Sequence, residues 1–176
     1  MKKFYIPLLL SLNLLLAGTN LFGQYAAVIS SNFQLSATFE NERIVWDCEV
    51  GDIRINTATG IIQAWIPVDE FRLKMGDAAK TTGKETGQGK NIELYCQLPI
   101  AQIVDKRNAS QTVGAELIIR YNQVETTVPF NFTIVSFNKV GFSINSQGAF
   151  EHQALMIEGL SDFDSEVYII WSIVGR

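Results

Sequence analysis

From Asn32 to the end of the chain, apolar and polar residues alternate with a period of two, the rhythm of half-buried strands and not of helices. Between Asn32 and Phe39 the apolar series is Phe33, Leu35, Ala37 and Phe39. Arg43–Val50 repeats it with Ile44, Trp46, Cys48 and Val50, Gly60–Pro67 with Ile62, Ala64 and Ile66, and Asn91–Cys96 with Ile92, Leu94 and Cys96. Gly114–Tyr121 carries Ala115, Leu117, Ile119 and Tyr121, while Thr126–Ser136 carries Val128, Phe130, Phe132 and Ile134. Val140, Phe142 and Ile144 follow, and Val167–Val174 closes the chain, apolar on both faces. Turn-forming residues separate these runs at Glu40-Asn41, Gly51-Asp52, Thr57–Gly60, Asn108–Ser110, Tyr121–Gln123 and Ser146–Gly148.

Short connections between alternating strands make hairpins, and hairpins make an antiparallel sheet. About eight strands, each with one apolar face and no long amphipathic helix to cover it, must close into a barrel or fold into a sandwich. One stretch breaks the rhythm. Residues 68–90 are long for a hairpin connection and rich in Gly and Lys, and from Arg72 to Lys90 the net charge is +3. A short helix at its start and then a long loop is the expectation, since loops beyond about 12–15 residues are usually functional or disordered. Two readings stand for it: an exposed, soluble loop with no partner, or a cationic flap at the mouth of a barrel that meets an anionic head group.

The N-terminus reads as a secretory signal peptide. Lys2 and Lys3 precede an apolar run, Ile6–Ala17, broken only by Ser11 and Asn13, and small or turn-prone residues lead to Gly23 and Gln24. Residues 1–24 are therefore expected to be removed, leaving one domain over 25–176 that is periplasmic or secreted. After that segment no apolar stretch reaches the roughly 18 residues of a membrane-spanning helix. The hydrophobic fraction of 47% and charged fraction of 18% exclude a disordered chain. Loss of Lys2 and Lys3 takes the net charge from −4 to −6. An acidic domain offers no field for nucleic acid, whose binding depends on neutralising phosphates.

Reactive groups are sparse. His152 is the sole histidine, Glu151 beside it points to the opposite face of a strand, and no Gly-x-Ser-x-Gly elbow occurs. His152 reads as an ordinary surface residue. The stretch Gly83–Asn91 departs from the phosphate-loop spacing, and Asp162, Asp164 and Glu166 lack the glycine and further ligands of a calcium loop. No catalytic residue, metal site or cofactor is expected. Cys48 and Cys96 both fall at inward positions of an exported chain, where a disulfide closing about 50 residues would contribute roughly 4 kcal/mol. Two buried free thiols are the other possibility.

Several segments resemble the YceI-like family of secreted, lipocalin-like barrels that bind polyisoprenoid or other lipid. Thr59–Pro67 followed by Glu70-Phe71 is similar to the family's glycine, strand and proline leading into a long excursion. Leu98–Ile103 resembles the strand after that excursion, Gly114–Ile119 and Thr127–Phe130 its hairpin, and Gly148–Ile157 with Asp164–Ile169 its closing acidic turn and final strand. The early strand has Leu35–Thr38 where the family commonly carries a histidine, and Leu98 precedes Pro99 in place of tyrosine. The resemblance implies an antiparallel up-and-down barrel that binds a long-chain apolar molecule, an isoprenoid or fatty acyl lipid.

The residues allow the same reading. An eight-stranded barrel is just wide enough to be plugged by side chains or to hold one small ligand. The inward set Trp46, Ile62, Ile66, Leu117, Ile119, Phe130, Phe132 and Phe142 is almost wholly apolar and would line such a cavity. Each CH₂ of a lipid chain buried there contributes roughly 0.8 kcal/mol. The rival is a filled core, in which the protein works as an interaction module through outward aromatics such as Trp65 and Tyr95.

Overall fold

The computed structural model describes residues 25–50, 52–76, 90–104, 108–137, 140–155 and 163–176. The signal segment and most of the Lys-rich stretch lie outside the described residues. Ten strands form one antiparallel sheet: β1 (Val28–Phe39), β2 (Glu42–Glu49), β3 (Asp52–Asn56), β4 (Ile61–Pro67), β5 (Arg72–Met75), β6 (Asn91–Gln97), β7 (Ser110–Tyr121), β8 (Val124–Phe137), β9 (Gly141–Glu151) and β10 (Glu166–Gly175). Their order is β3-β4-β6-β7-β8-β9-β10-β1-β2-β5. A 3₁₀ helix, Val68–Glu70, opens the long excursion, and α1 (Ile100–Val104) follows β6. Among the described residues no helix is long and apolar enough to cross a membrane.

The sheet curls until its edge returns on itself. Tyr25 pairs with Asn56 and the Ala26 N–H donates to the Ile55 carbonyl at 2.9 Å, which ties β3 to the chain entering β1. β2 and β3 follow one another in the same direction, so the two read as halves of one path along the wall. The sheet has ten strands where about eight were expected. β3 and β5 escape a pattern-based reading because each is very short. The excursion does begin with a short helix.

Two-residue hairpins connect β1 to β2 and β7 to β8. Their loop residues all take positive φ, Glu40 at 49° and Asn41 at 66°, Asn122 at 49° and Gln123 at 70°. That geometry matches the twist of the flanking strands. At Gly60, φ is +74° and a Cβ would stand 1.7 Å from the Leu98 carbonyl oxygen, so only glycine fits. Ser146–Gly148 does not turn. β9 runs straight through it, and Gly148 is there because a Cβ would meet the Phe130 ring at 2.6 Å.

Inward parity gives one continuous core: Phe33 and Leu35 from β1, Ile62 and Ile66 from β4, Leu94 from β6, Leu117 and Ile119 from β7, Phe130, Phe132 and Ile134 from β8, Phe142 and Ile144 from β9, and Ile169 and Trp171 from β10. Leu98, Ile100 and Ile103, all buried, add α1 to that core. The two apolar faces of β10 are also explained, since its outward residues Tyr168 and Ile170 stay exposed.

Candidate functional site

Among the described residues the wall of the barrel is interrupted where β1 meets the path of β2 and β3. β1 pairs with β2 from Phe39 opposite Glu42 as far as Asn32 opposite Glu49. Seven residues further along each chain, in unchanged register, Tyr25 pairs with Asn56. Between these two contacts no pairing is made among the described residues, and β1 is irregular between Val28 and Ser30. A groove of about 1030 Å³ occupies the gap, lined by Val28–Asn32, Asp47–Val50, Asp69, Glu70 and Arg72. Asp69 and Glu70 come from the 3₁₀ helix, which crosses from β4 to the edge strand β5. The adjoining Phe71 packs edge-on against Phe33 of the core, with ring centroids 5.9 Å apart.

The groove is acidic outside and apolar within. Asp47, Glu49, Asp69 and Glu70 face the cation of Arg72, and Lys74 approaches Asp47 at 3.8 Å. On the inner side stands the Cys48 thiol, 3% exposed, whose Sγ–H donates to the Glu49 carbonyl at 3.5 Å. Burial first, then the carboxylates of Glu70 and Asp47, push that thiol up to about 11. Ser31 also turns inward at the gap, and its Oγ is buried without a hydrogen-bond partner. The carboxylates at the groove's rim disfavour an approaching anion.

Seven of the eight side chains expected to line a cavity come together in the core. Ile62, Ile66, Leu117, Ile119 and Phe132 are 0% exposed, Phe142 1% and Phe130 3%. At such values each touches neighbouring atoms on nearly every side. Trp46 departs from expectation: it is half-buried and stacks edge-on against Phe163 at 5.5 Å, beside Phe39. From that half-buried position it also packs against the core.

The cysteines are not bridged. Cys48 on β2 and Cys96 on β6 are buried free thiols. Burial alone pushes Cys96 up to about 12. His152 is not a surface residue either. It is 3% exposed, its N–H donates to the Ser165 carbonyl at 3.0 Å, and Nε2 lies 3.4 Å from the Phe163 carbonyl. These contacts fasten the turn after β9 to the segment before β10, a structural task. Among the described residues no group of His, Cys, Asp and Glu is placed to hold a metal ion.

Trp65 and Tyr95 do face outward. They line a shallower groove of about 360 Å³ with Gln63, Glu93, Ile118, Arg120 and Glu125. The Arg54 guanidinium lies over Trp65, 4.9 Å from its centroid. Sequence pattern missed the unpaired stretch of the ladder, because what marks it among the described residues is an absence of pairing, and missed Ser31 and Trp171, whose importance rests on unmade hydrogen bonds.

No protein-family model and no curated protein matches the sequence. The fold is similar to that of a polyisoprenoid-binding domain from Saccharophagus degradans implicated in plant cell wall breakdown, with a TM-score of 0.69, 9% identity, and 87% of this chain and 98% of that one covered. It is similar as well to BcnA from Burkholderia cenocepacia, with a TM-score of 0.59, 14% identity, and 83% and 96% covered. The barrel that the YceI-like resemblance implies is thus the fold this chain has.

Proposed function

We propose that this fold, shared with a polyisoprenoid-binding domain, serves here as an exported binding or carrier protein for a long apolar molecule, an isoprenoid or fatty acyl lipid. The observation that carries the reading is the gap in the β1–β2 ladder, a groove of about 1030 Å³ beside a continuous apolar core. A lipid chain enters through this slit and separates side chains that otherwise touch. Burying each CH₂ returns roughly 0.8 kcal/mol, so a chain of ordinary length offsets the rearrangement. Export follows from the N-terminal segment, and the protein has no catalytic role in this account.

The test is uptake. Titration of the natively purified protein with a polyprenyl alcohol raises the melting temperature, and Ser31→Phe, which fills the slit without touching the far wall, removes that shift. No shift in the unaltered protein contradicts the reading. A second reading has its own support, because the 0% exposure of Ile62, Leu117 and Phe132 is also what a permanently filled core shows. Under it the protein acts through its outer wall, and Trp65→Ala abolishes recovery of a protein partner while leaving stability unchanged.

A further inference from the structure

Among the described residues, two neighbouring polar atoms on Trp171 and Ser31 turn inward with nothing to bond. Trp171 belongs to the inward series Val167, Ile169, Trp171 and Ile173 of β10, is 2% exposed, and its indole Nε1–H meets no acceptor. Ser31 is the second, with a buried and unpartnered Oγ. The register places Phe33 opposite Trp171 and Ser31 opposite Ile173. Ser31 and Trp171 are therefore diagonal neighbours on the inner face, roughly 7–8 Å apart. Ser146, opposite Trp171 on the other side, offers no relief, because its hydroxyl donates to the Trp171 carbonyl at 3.3 Å.

An unmet donor in an apolar interior is destabilising, and a buried tryptophan normally finds a partner for its N–H. The location adds the second half of the case, for Ser31 lines the slit through which the interior opens. We propose that Trp171 Nε1–H and Ser31 Oγ–H form a polar anchor that selects a lipid carrying a neutral oxygen, a hydroxyl or a carbonyl, whose chain then lies along the apolar core. The inference rests on the lipid-binding reading above. A carbonyl oxygen accepts from both groups. An alcohol accepts from Trp171 and donates to Ser31. An alkane leaves both unmet, and a carboxylate must pass Asp47, Glu49 and Glu70 to reach them.

The experiment compares a long-chain alcohol, a methyl ketone and an alkane of equal length as ligands for the mature protein. The unaltered protein is expected to bind the alcohol and ketone about tenfold more tightly than the alkane, the ratio that about 1.4 kcal/mol of hydrogen bonding gives. Trp171→Phe brings that ratio close to one, a change that lost packing alone does not produce. Ser31→Ala, nearly isosteric, lowers the ratio severalfold and raises the melting temperature of the ligand-free protein, since it deletes an unmet hydroxyl. Equal affinity for all three ligands in the unaltered protein, or a ratio that both variants leave intact, overturns the anchor while leaving the carrier standing. Failure to bind any of the three overturns both.

Discussion

Gly148 shows how closely single residues are fitted. It lies in a strand, where glycine weakens the backbone, and it is tolerated because the Phe130 ring occupies the space of its missing Cβ, only 2.6 Å away. Gly148→Ala is expected to lower stability by about 1–3 kcal/mol through overpacking, and Phe130→Leu in the same chain to recover part of the loss. A double-mutant cycle read by denaturant unfolding checks this, and strict additivity would contradict it. The thiols give a second expectation. Both have folded-state pKa values above the ordinary 9.0, Cys48 at about 11 and Cys96 at about 12. The unfolded chain therefore loses these protons first, so stability is unaffected below pH 9 and falls as pH rises from 9 towards 11 and 12. Cys96→Val should flatten that alkaline decline, and alkylation of native protein at neutral pH should leave Cys96 unmodified. Parity along each strand was legible residue by residue, whereas depth was not. Trp46 sits at inward parity yet is only half-buried, and His152 is buried where carbonyls of the segment before β10 meet it.

At the scale of elements, the hairpins are built on sequences that only partly suit them. The β7–β8 loop, Asn122-Gln123, holds Gln123 at a φ of 70°, where a glycine would rest without strain. Gln123→Gly is expected to stabilise the protein by up to about 1 kcal/mol, measured as a rise in the denaturation midpoint with unchanged slope. A fall would mean that the side chain makes a contact worth more than the strain. The long elements were readable because six or more alternations leave little ambiguity, as in β8. β3 was not, since Ile53 and Ile55 stand between two turn signals and give barely one repeat. β5 offers only Leu73 as a half-buried residue and exists because β2 supplies an edge to pair with. Ser146–Gly148 has the composition of a turn and forms strand because β8 and β10 pair with it on both sides.

The whole molecule is a curled sheet whose seam is stitched at Tyr25 and Asn56, with no pairing among the described residues between that stitch and Glu49. No local pattern foretells such a gap, which depends on where two distant segments do and do not meet. Its carboxylates set a preference by charge. A fatty alcohol should bind more tightly than the carboxylate of equal length, and added salt should narrow the difference by screening. Glu49→Gln with Glu70→Gln should narrow it further, and a preference for the carboxylate in the unaltered protein would contradict the assignment of the slit as the entrance.

Residence of an apolar molecule in this barrel is checked most directly by mass spectrometry of an organic extract from protein purified from its natural compartment without detergent. One long-chain lipid species is expected, at a ratio to protein approaching one molecule per chain, and Ser31→Phe is expected to deplete it. An extract with no lipid above the level of an unrelated exported protein would contradict that residence.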